Sequence, residues 1–238
     1  MPFSYFFGAS HLYMVIVAAK RTAICKAKMG EFKDTYADDF LAPALKAVID
    51  KKGVNPSEIA DIVVGTVLVP GSQRAAECKM AAFYAGFPET VPVRTMNRQC
   101  SSGLQAVAHV AAAIKAGFYD IGIGAELESM IANSMGWDGT VNPRVKSMEH
   151  AQNCLLPMGS GKFKDEIVLI HTKIVDAKTG DETPVTISTD DGIRANTNVA
   201  DLGKLRPSFK KDGTTTTGNS SQVSDAATSV LLMKRNVM

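Results

Sequence analysis

The sequence predicts an α/β fold, a mostly parallel sheet covered by helices. Short runs rich in β-branched residues alternate with longer stretches whose apolar residues recur at helical spacing. The resulting order, β–α–β–α–β–α–β, is typical of parallel strands joined by crossover helices. The composition is also ordinary for a globular protein, with 45% hydrophobic and 21% charged residues in a chain of 238.

Four strands are predicted in the first half of the chain, each from a short apolar run. They lie at 14–19, 61–68, 91–96 and 120–126.

Three helices are predicted between these strands, at 38–53, 75–87 and 103–117. The first carries an apolar face, and Gly53 is a plausible C-cap. The third, ending at Gly117, is apolar around nearly its whole circumference, which is typical of a helix buried on all sides. One sheet covers one face only, so we expect a second covering layer. Without it, residues such as Val107, Val110 and Ile114 would be exposed.

The chain changes character after Met130, where Gly, Asn, Pro and Met are frequent and periodicity is weak. This part predicts loops and short helices. The runs 166–175 and 184–190 then predict a hairpin, and 224–235 predicts a helix or a strand. The first twelve residues predict an irregular extension that is too interrupted to span a membrane, and no other segment suggests membrane insertion.

Charge and cysteine spacing exclude several classes of function. A net charge of +2 without a basic run gives no reason to expect nucleic acid as a partner. The cysteines form no CxxC pair, which argues against a metal site and a disulfide scaffold and favours free thiols. They are Cys25, Cys78, Cys100 and Cys154.

Cys100 is the candidate nucleophile. It precedes Ser101, Ser102 and Gly103 where a strand meets the third helix, and the amino end of a helix favours a thiolate. Small neighbours would let a substrate approach. A lone cysteine is nevertheless more often structural, Arg98 could lower the thiol pKa or merely face solvent, and no histidine is nominated as a base.

A second candidate region contains "DDGIR" and "TTTTGNSSQVSD", the latter at 214–225. Its hydroxyls, backbone N–H groups and Arg194 would suit a ligand that carries amides and phosphates. A solvated loop explains the same composition equally well.

Three stretches resemble the thiolase family. "MNRQCSSGLQAVAHVAAAI" (96–114) resembles the family's nucleophile signature, "GAELESM" (124–130) its GGxESM stretch and "GNSSQVSDAA" (218–227) its GNxSxxxDGA stretch. From about Tyr13 to Lys234 the chain is similar to the amino-terminal half of plant-type peroxisomal 3-ketoacyl-CoA thiolases. The resemblance implies a thiolase-like fold and thiolytic cleavage of 3-ketoacyl-CoA to acetyl-CoA and a shortened acyl-CoA, as in fatty acid β-oxidation.

Site residues also follow from the resemblance. It makes Cys100 the acyl-accepting nucleophile, whose own backbone N–H would contribute to an oxyanion hole. It places Arg194 near the CoA nucleotide, Ser221 near the pantetheine and Met158 along the thioester pocket. Coenzyme A would be a substrate, with no permanently bound cofactor and no metal.

The chain also departs from the family. It is expected to consist of the extension 1–12 and a thiolase amino-terminal domain, 13–238, with a shortened loop region at about 131–200. The second domain, which supplies an Asn-Glu-Ala-Phe stretch, a histidine and a second cysteine, is not in these residues. Glu126 and Ala226 stand where the family pattern has Gly, and at Ala226 this could strain a turn that needs positive φ.

These departures leave several functions open. The chain is expected to be incomplete for catalysis by itself. It could form a homo-oligomer or pair with a thiolase, act as a non-catalytic truncated CoA-binding or interaction protein, or be a product that does not fold stably. The resemblance implies a peroxisomal protein, but "SYFFGASHL" keeps only the final His-Leu of the family's amino-terminal signal, so a cytosolic location is the alternative.

Overall fold

A computed structural model describes residues 14–68, 74–131, 166–192, 198–208, 211–220 and 222–237. The predicted extension 1–12 and much of the predicted loop region, 132–165 and 193–197, lie outside these residues. The described helices are α1 (Ala37–Asp50), α2 (Arg74–Tyr84), α3 (Ser102–Lys115) and the short α4 (Val199–Leu202), with single 3-10 turns at Pro56–Glu58 and Arg235–Val237. The described strands are β1 (Met14–Arg21), β2 (Cys25–Lys26), β3 (Ile62–Gly65), β4 (Val93–Met96), β5 (Ile121–Ser129), β6 (Ile170–Val175), β7 (Glu182–Ile187) and β8 (Ser224–Lys234).

The main sheet has the strand order β1-β8-β5-β3-β4, and β2 also pairs with β8. Strand β3 is parallel to β4 and β5, whereas β8 is antiparallel to β1, β2 and β5. All strands of this sheet except β8 therefore run in one direction, which confirms the prediction of a mostly parallel sheet. The segment 224–235, for which the sequence left helix and strand open, forms the strand between β1 and β5.

The two faces of the sheet are covered by different helices. Side chains alternate along a strand, so Val64 and Leu231 face one side while their neighbours Val63 and Leu232 face the other. Helices α1 and α2 pack on the Val64 side and form a large apolar cluster. Among the described helices, α3 is the one that packs on the Val63 side. The sheet is thus buried on both faces, as its continuous apolar strands require.

The exposed residues of helix α3 are not all the ones that the sequence predicted. Its buried residues recur every three or four positions, at Gly103, Ala106, Val110 and Ile114, and this stripe faces the sheet. Val110 and Ile114 are therefore not exposed, contrary to expectation, and Val107 is half-buried. The opposite face is apolar and exposed, as predicted for a helix with one covering layer. It consists of Leu104, Ala108 and Ala112, and Leu104 is 75% exposed.

Helix α1 ends earlier than predicted. Its last residue is Asp50, the C-cap is Lys51 in a right-handed conformation, and Gly53 lies in the turn that follows. Gly53 adopts φ +65, which costs glycine little because it has no Cβ. The Gly53 N–H donates to the Asp50 carbonyl at 3.3 Å and the Val54 N–H donates to the Ile49 carbonyl at 3.1 Å, so this glycine closes the carboxyl end of α1 as a cap, as predicted.

The predicted hairpin is present as β6 and β7, which pair from Ile170↔Ile187 to Val175↔Glu182. Its two inner residues, Ile170 and Ile187, are buried in the α1–α2 cluster. Strand β7 ends at Ile187 instead of 190 because Asp190 turns towards β1, where the Arg21 guanidinium donates to both of its carboxylate oxygens at 2.8 and 3.1 Å. Burial and this ion pair together attach the hairpin to the sheet.

Candidate active site

Cys100 lies in a turn between β4 and α3, at the sheet edge where the parallel strands β3, β4 and β5 end. Helix α3 begins at Ser102, so Cys100 precedes its first residue by two positions and is not itself helical, contrary to the prediction that it starts the helix. Its side chain is exposed. The carboxyl edge of parallel strands is where α/β proteins place ligand sites.

A hydrogen-bond network fixes this turn. The Ser102 hydroxyl accepts from the Arg98 N–H at 2.8 Å and donates to the Gln99 carbonyl at 2.6 Å. The Asn97 side chain accepts from the Gln99 N–H at 2.9 Å and donates to the Val67 carbonyl at 3.2 Å, joining the turn to the loop after β3. Cys100 is therefore held by its neighbours on both sides.

Backbone strain also marks the turn. Gln99, directly before Cys100, adopts φ +53, a left-handed backbone conformation that residues other than glycine rarely take. Such strain persists only where the surroundings enforce it, and it is concentrated at functional sites. Here the bonds from Asn97 and Ser102 supply that constraint. The strained residue turns the chain so that the next side chain, the Cys100 thiol, points out of the fold.

The described thiols differ in their electrostatic surroundings. Cys25 and Cys78 are fully buried in the α1–α2 cluster, and burial is the main cause that raises the pKa of each thiol to about 12. Neither thiol forms a thiolate near neutral pH. Cys100 has no such apolar enclosure, and it alone among these three is accessible. Cys154 lies outside the described residues.

Two glycines let α3 approach the sheet below the turn. A side chain on Gly65 of β3 would overlap the backbone of Ser102 and Gly103, and a side chain on Gly103 would overlap Glu126 of β5. Gly65 and Glu126 are register partners on neighbouring strands. The first turn of α3 therefore rests directly on β3 and β5.

The end of β5 organises the neighbouring loops. The Glu128 carboxylate accepts from the N–H groups of Val67 at 2.8 Å and Leu68 at 3.2 Å. Asp225 of β8 accepts from the Met130 N–H at 2.7 Å, and it is fully buried. Glu128 thus ties the loop after β3 to β5, and Met130 ties the end of β5 to the start of β8.

The other predicted site residues are not placed. Met158, Arg194 and Ser221 lie outside the described residues. Residues beside two of them are described, however, and Gly192 approaches Gln222 so closely that a side chain on Gly192 would overlap it.

The predicted ligand loop is partly described as a self-bonded turn. The Asn219 side chain accepts from the Thr216 N–H at 2.7 Å and donates to the Thr214 carbonyl at 3.0 Å. The first aspartate of "DDGIR", Asp190, is engaged by Arg21, so this residue anchors the fold.

Several remaining expectations are resolved by the described residues. Ala226 lies in strand β8 opposite Glu128 and does not have positive φ, so the expected turn strain is wrong. Arg98 is exposed, and its guanidinium donates to the Gln105 side chain on α3. His171 bonds Thr186 in the hairpin, and His109 lies within α3.

Sequence reasoning missed Asn97, and it named Ser102 only as a small neighbour of Cys100, although both side chains hold the turn by hydrogen bonds. An asparagine two residues before a left-handed residue, and a serine in the first turn of a helix, are the local signals for such bonds. Within the described ranges, no group of three His, Cys, Asp or Glu side chains comes together to hold a metal ion. No helix of that part of the chain is both long and apolar enough to cross a membrane.

Comparisons with known proteins agree on one family. The family profile described as thiolase, N-terminal domain, matches residues 14–160 and 145–236. Peroxisomal 3-ketoacyl-CoA thiolase 2 of Arabidopsis thaliana is 64% identical over 94% of this chain and 56% of its own length. The human peroxisomal 3-ketoacyl-CoA thiolase is 41% identical over 96% of this chain and 61% of its own length.

A solved structure shows the same fold. The dimeric peroxisomal thiolase of Saccharomyces cerevisiae superposes with a TM-score of 0.77 at 33% identity, covering 95% of this chain and 65% of that chain. The chain therefore spans little more than half the length of the curated relatives it matches, and the match is to their amino-terminal half. The profile match over most of the chain and the similarity to these relatives lead to one conclusion: the chain belongs to the thiolase family.

Proposed function

We propose that this chain carries the nucleophilic part of a 3-ketoacyl-CoA thiolase site and that Cys100 accepts the acyl group. The observation that carries the proposal is the exposed Cys100 thiol on a hydrogen-bonded, strained turn at the start of α3. Membership of the thiolase family and the names of the relatives support the substrate class.

The proposed reaction proceeds in two steps, acyl transfer to Cys100 and acyl transfer to a second CoA. The Cys100 thiolate forms a bond to the 3-keto carbon, the bond between C2 and C3 breaks, and the electron pair leaves on C2, which takes a proton and departs as acetyl-CoA. The thiol of a second CoA then loses its proton and displaces Cys100, yielding an acyl-CoA shortened by two carbons. The amino end of α3 favours negative charge at both stages.

Three residues are proposed to bind CoA: Arg194 at the nucleotide, Ser221 at the pantetheine and Met158 along the thioester pocket. The close approach of Gly192 to Gln222 supports the first two, because these two described residues are near neighbours in sequence of Arg194 and Ser221. We further propose that CoA is only a substrate and that no cofactor or metal is permanently bound.

A separate proposal concerns the length of the chain: the loop region at about 131–200 is shorter than in the family. The alignment with the Arabidopsis relative supports that shortening, because it extends over 257 positions, more than this chain contains.

The chain is proposed to act in peroxisomes, the compartment in the names of its relatives, and to associate with a second thiolase chain. The yeast relative of known structure is dimeric, which supports that association.

A second candidate is a non-catalytic CoA-binding or interaction protein. It is favoured by Glu126, a half-buried carboxylate at the start of α3 where the family pattern has glycine. When this carboxylate is ionised, its negative charge opposes the anionic chemistry that the thiolase reaction needs.

The test is acyl transfer to the protein from acetoacetyl-CoA without free CoA. We expect release of acetyl-CoA and one acetyl group on the Cys100 peptide, measured by mass spectrometry. Cys100→Ala should abolish the adduct, whereas Cys78→Ala, which removes a buried thiol, should retain it. Binding of CoA without any adduct would support the second candidate and contradict acyl transfer, and an adduct on another cysteine would exclude Cys100 as the nucleophile.

A further inference from the structure

Glu126 is the feature that the proposed reaction does not use. It lies on β5 between Gly65 of β3 and Thr228 of β8, its register partners, and its side chain is half-buried. Strand residues at this depth are usually apolar or small, because burying a carboxylate without partners is costly. The partner of Glu126 is therefore informative.

That partner is the first turn of α3. The Glu126 carboxylate accepts a hydrogen bond from the Gly103 N–H, one of the backbone donors that the amino end of a helix leaves unpaired. The contact is possible because residue 103 is glycine, since any side chain there would overlap the Glu126 carboxylate. The carboxylate is thus inserted between strand and helix, beneath the turn that presents Cys100.

The surroundings of Glu126 make ionisation of its carboxyl group unfavourable. Burial is the main cause that raises the pKa of Glu126 to about 7, the neighbouring Glu128 carboxylate raises it further, and the Gly103 hydrogen bond acts in the opposite direction. The register partners on β3 and β8, Gly65 and Thr228, do not titrate. From the turn before α3, the titratable groups are Cys100 and Arg98, and the Arg98 guanidinium is exposed and donates to the Gln105 side chain. Glu126 therefore changes charge in the same pH range in which a cysteine begins to form a thiolate.

We propose that Glu126 is a positioning residue of the Cys100 site: its carboxylate holds the first turn of α3 and, when ionised, opposes thiolate formation at Cys100. This proposal rests on Cys100 being the reactive thiol of the proposed function. Protonated Glu126 leaves the helix end free to stabilise an anion, whereas ionised Glu126 already occupies the Gly103 N–H with negative charge. The nucleophile of this chain is thereby attenuated above neutral pH.

The experiment is the pH profile of Cys100 alkylation by limiting iodoacetamide, from pH 5.5 to 10, quantified on the Cys100 peptide. Wild type is compared with Glu126→Gln, which keeps the shape without the charge, and with Glu126→Gly. Glu89→Gln, which alters an exposed side chain between α2 and β4, is the matched control. Labelling in denaturant provides the unfolded reference.

We expect the ratio of the Glu126→Gln rate to the wild-type rate to be bell-shaped in pH. The ratio should be near one at pH 5.5, where Glu126 is protonated, and rise to about threefold or more near pH 8. It should return towards one at high pH, where Cys100 is ionised in both the wild type and the variant. Glu126→Gly should show the same rise, and Glu89→Gln should match wild type throughout. A ratio independent of pH would overturn the proposal, because a merely structural effect moves the rate equally at all pH values.

A second measurement does not depend on thiol chemistry. A carboxyl whose pKa is higher in the folded state stabilises the fold below the unfolded pKa, and that stability is lost as pH rises through the folded pKa. The free energy of unfolding of wild type should therefore fall between pH 4.5 and about 7 relative to Glu126→Gln. Parallel stability curves would contradict the assignment. Because neither readout uses acyl-CoA, failure of acyl transfer to Cys100 would leave both readouts interpretable.

Discussion

The two faces of the central sheet are covered to very different degrees. On one face, α1, α2 and the β6–β7 hairpin enclose a large cluster with several fully buried aromatic and aliphatic side chains. On the other face, in the part of the chain that the structure describes, α3 encloses a much smaller cluster around Val63 and Leu232, and Leu104, Ala108 and Ala112 are exposed. A helix with apolar residues on both its inner and outer sides is suited to lie between two layers.

The same difference separates the thiols. Cys25 and Cys78 belong to the well-covered face and serve as small apolar side chains, whereas Cys100 lies in the turn that leads into α3 and is exposed. Free cysteines in a protein are thus not equivalent, and burial decides which of them can react. The face that carries the proposed nucleophile is also the face on which the described residues form the smaller apolar cluster.

The largest expected difference between the two faces is in the stability of two variants, Phe40→Ala on the well-covered face and Leu104→Ala on the outer side of α3. Phe40 is fully buried and stacks on Phe32 with ring centroids 5.0 Å apart, so its removal should lower the free energy of unfolding by about 3–5 kcal/mol. Leu104→Ala should change it by less than about 0.5 kcal/mol, since the side chain is 75% exposed. Urea unfolding followed by circular dichroism measures both. Equal losses would mean that another chain covers the outer face of α3 in solution.

A smaller effect is expected in thiol labelling at pH 7.5. Cys100 should react with iodoacetamide about a hundredfold faster than Cys25 or Cys78, whose thiols are buried and have pKa values raised to about 12. Peptide mapping after limiting alkylation measures the three rates, and unfolding in denaturant should make them converge. If Cys25 or Cys78 reacts first in the folded protein, the well-covered face opens more readily than its packing indicates.

The smallest effect concerns the ion pair that attaches the hairpin to the well-covered face. Hydrogen bonding to Arg21 lowers the pKa of Asp190, so this carboxylate stabilises the fold above its unfolded pKa and ceases to do so as pH falls through its folded pKa. Asp190→Asn should therefore lower the free energy of unfolding by about 1–2 kcal/mol at pH 7. It should have no effect at pH values below both the folded and the unfolded pKa of Asp190.

The control for this variant is Asp120→Asn, which removes a half-exposed partner of Lys234 and should cost less than about 0.5 kcal/mol. Thermal or urea unfolding at the two pH values provides the comparison. An Asp190→Asn loss that persists unchanged at low pH would show that the residue acts through packing and backbone bonds instead of charge.

Much of the candidate site could be predicted locally. The small residues after Cys100, its position between strand and helix, and the motif of the thiolases all lie within a few residues of sequence. The supporting groups could not be predicted this way, because they come from elsewhere in the chain: Val67 from the loop after β3, and Glu126 and Glu128 from β5. Hydrogen bonds between residues tens of positions apart have no local periodicity.

By itself, the sequence determined the alternating strands and helices of the first half, the β6–β7 hairpin and the family, because hydrophobic periodicity and short motifs are local properties of the chain. Only the tertiary structure decided that 224–234 forms a strand inserted between β1 and β5, that α1 and α2 share one face while α3 covers the other, and which side of α3 is exposed. The physical reason is that an apolar run such as "SVLLMK" can be buried in either a helix or a strand. The unpaired edges of β1 and β5, on which it completes the hydrogen-bond ladder, select the strand.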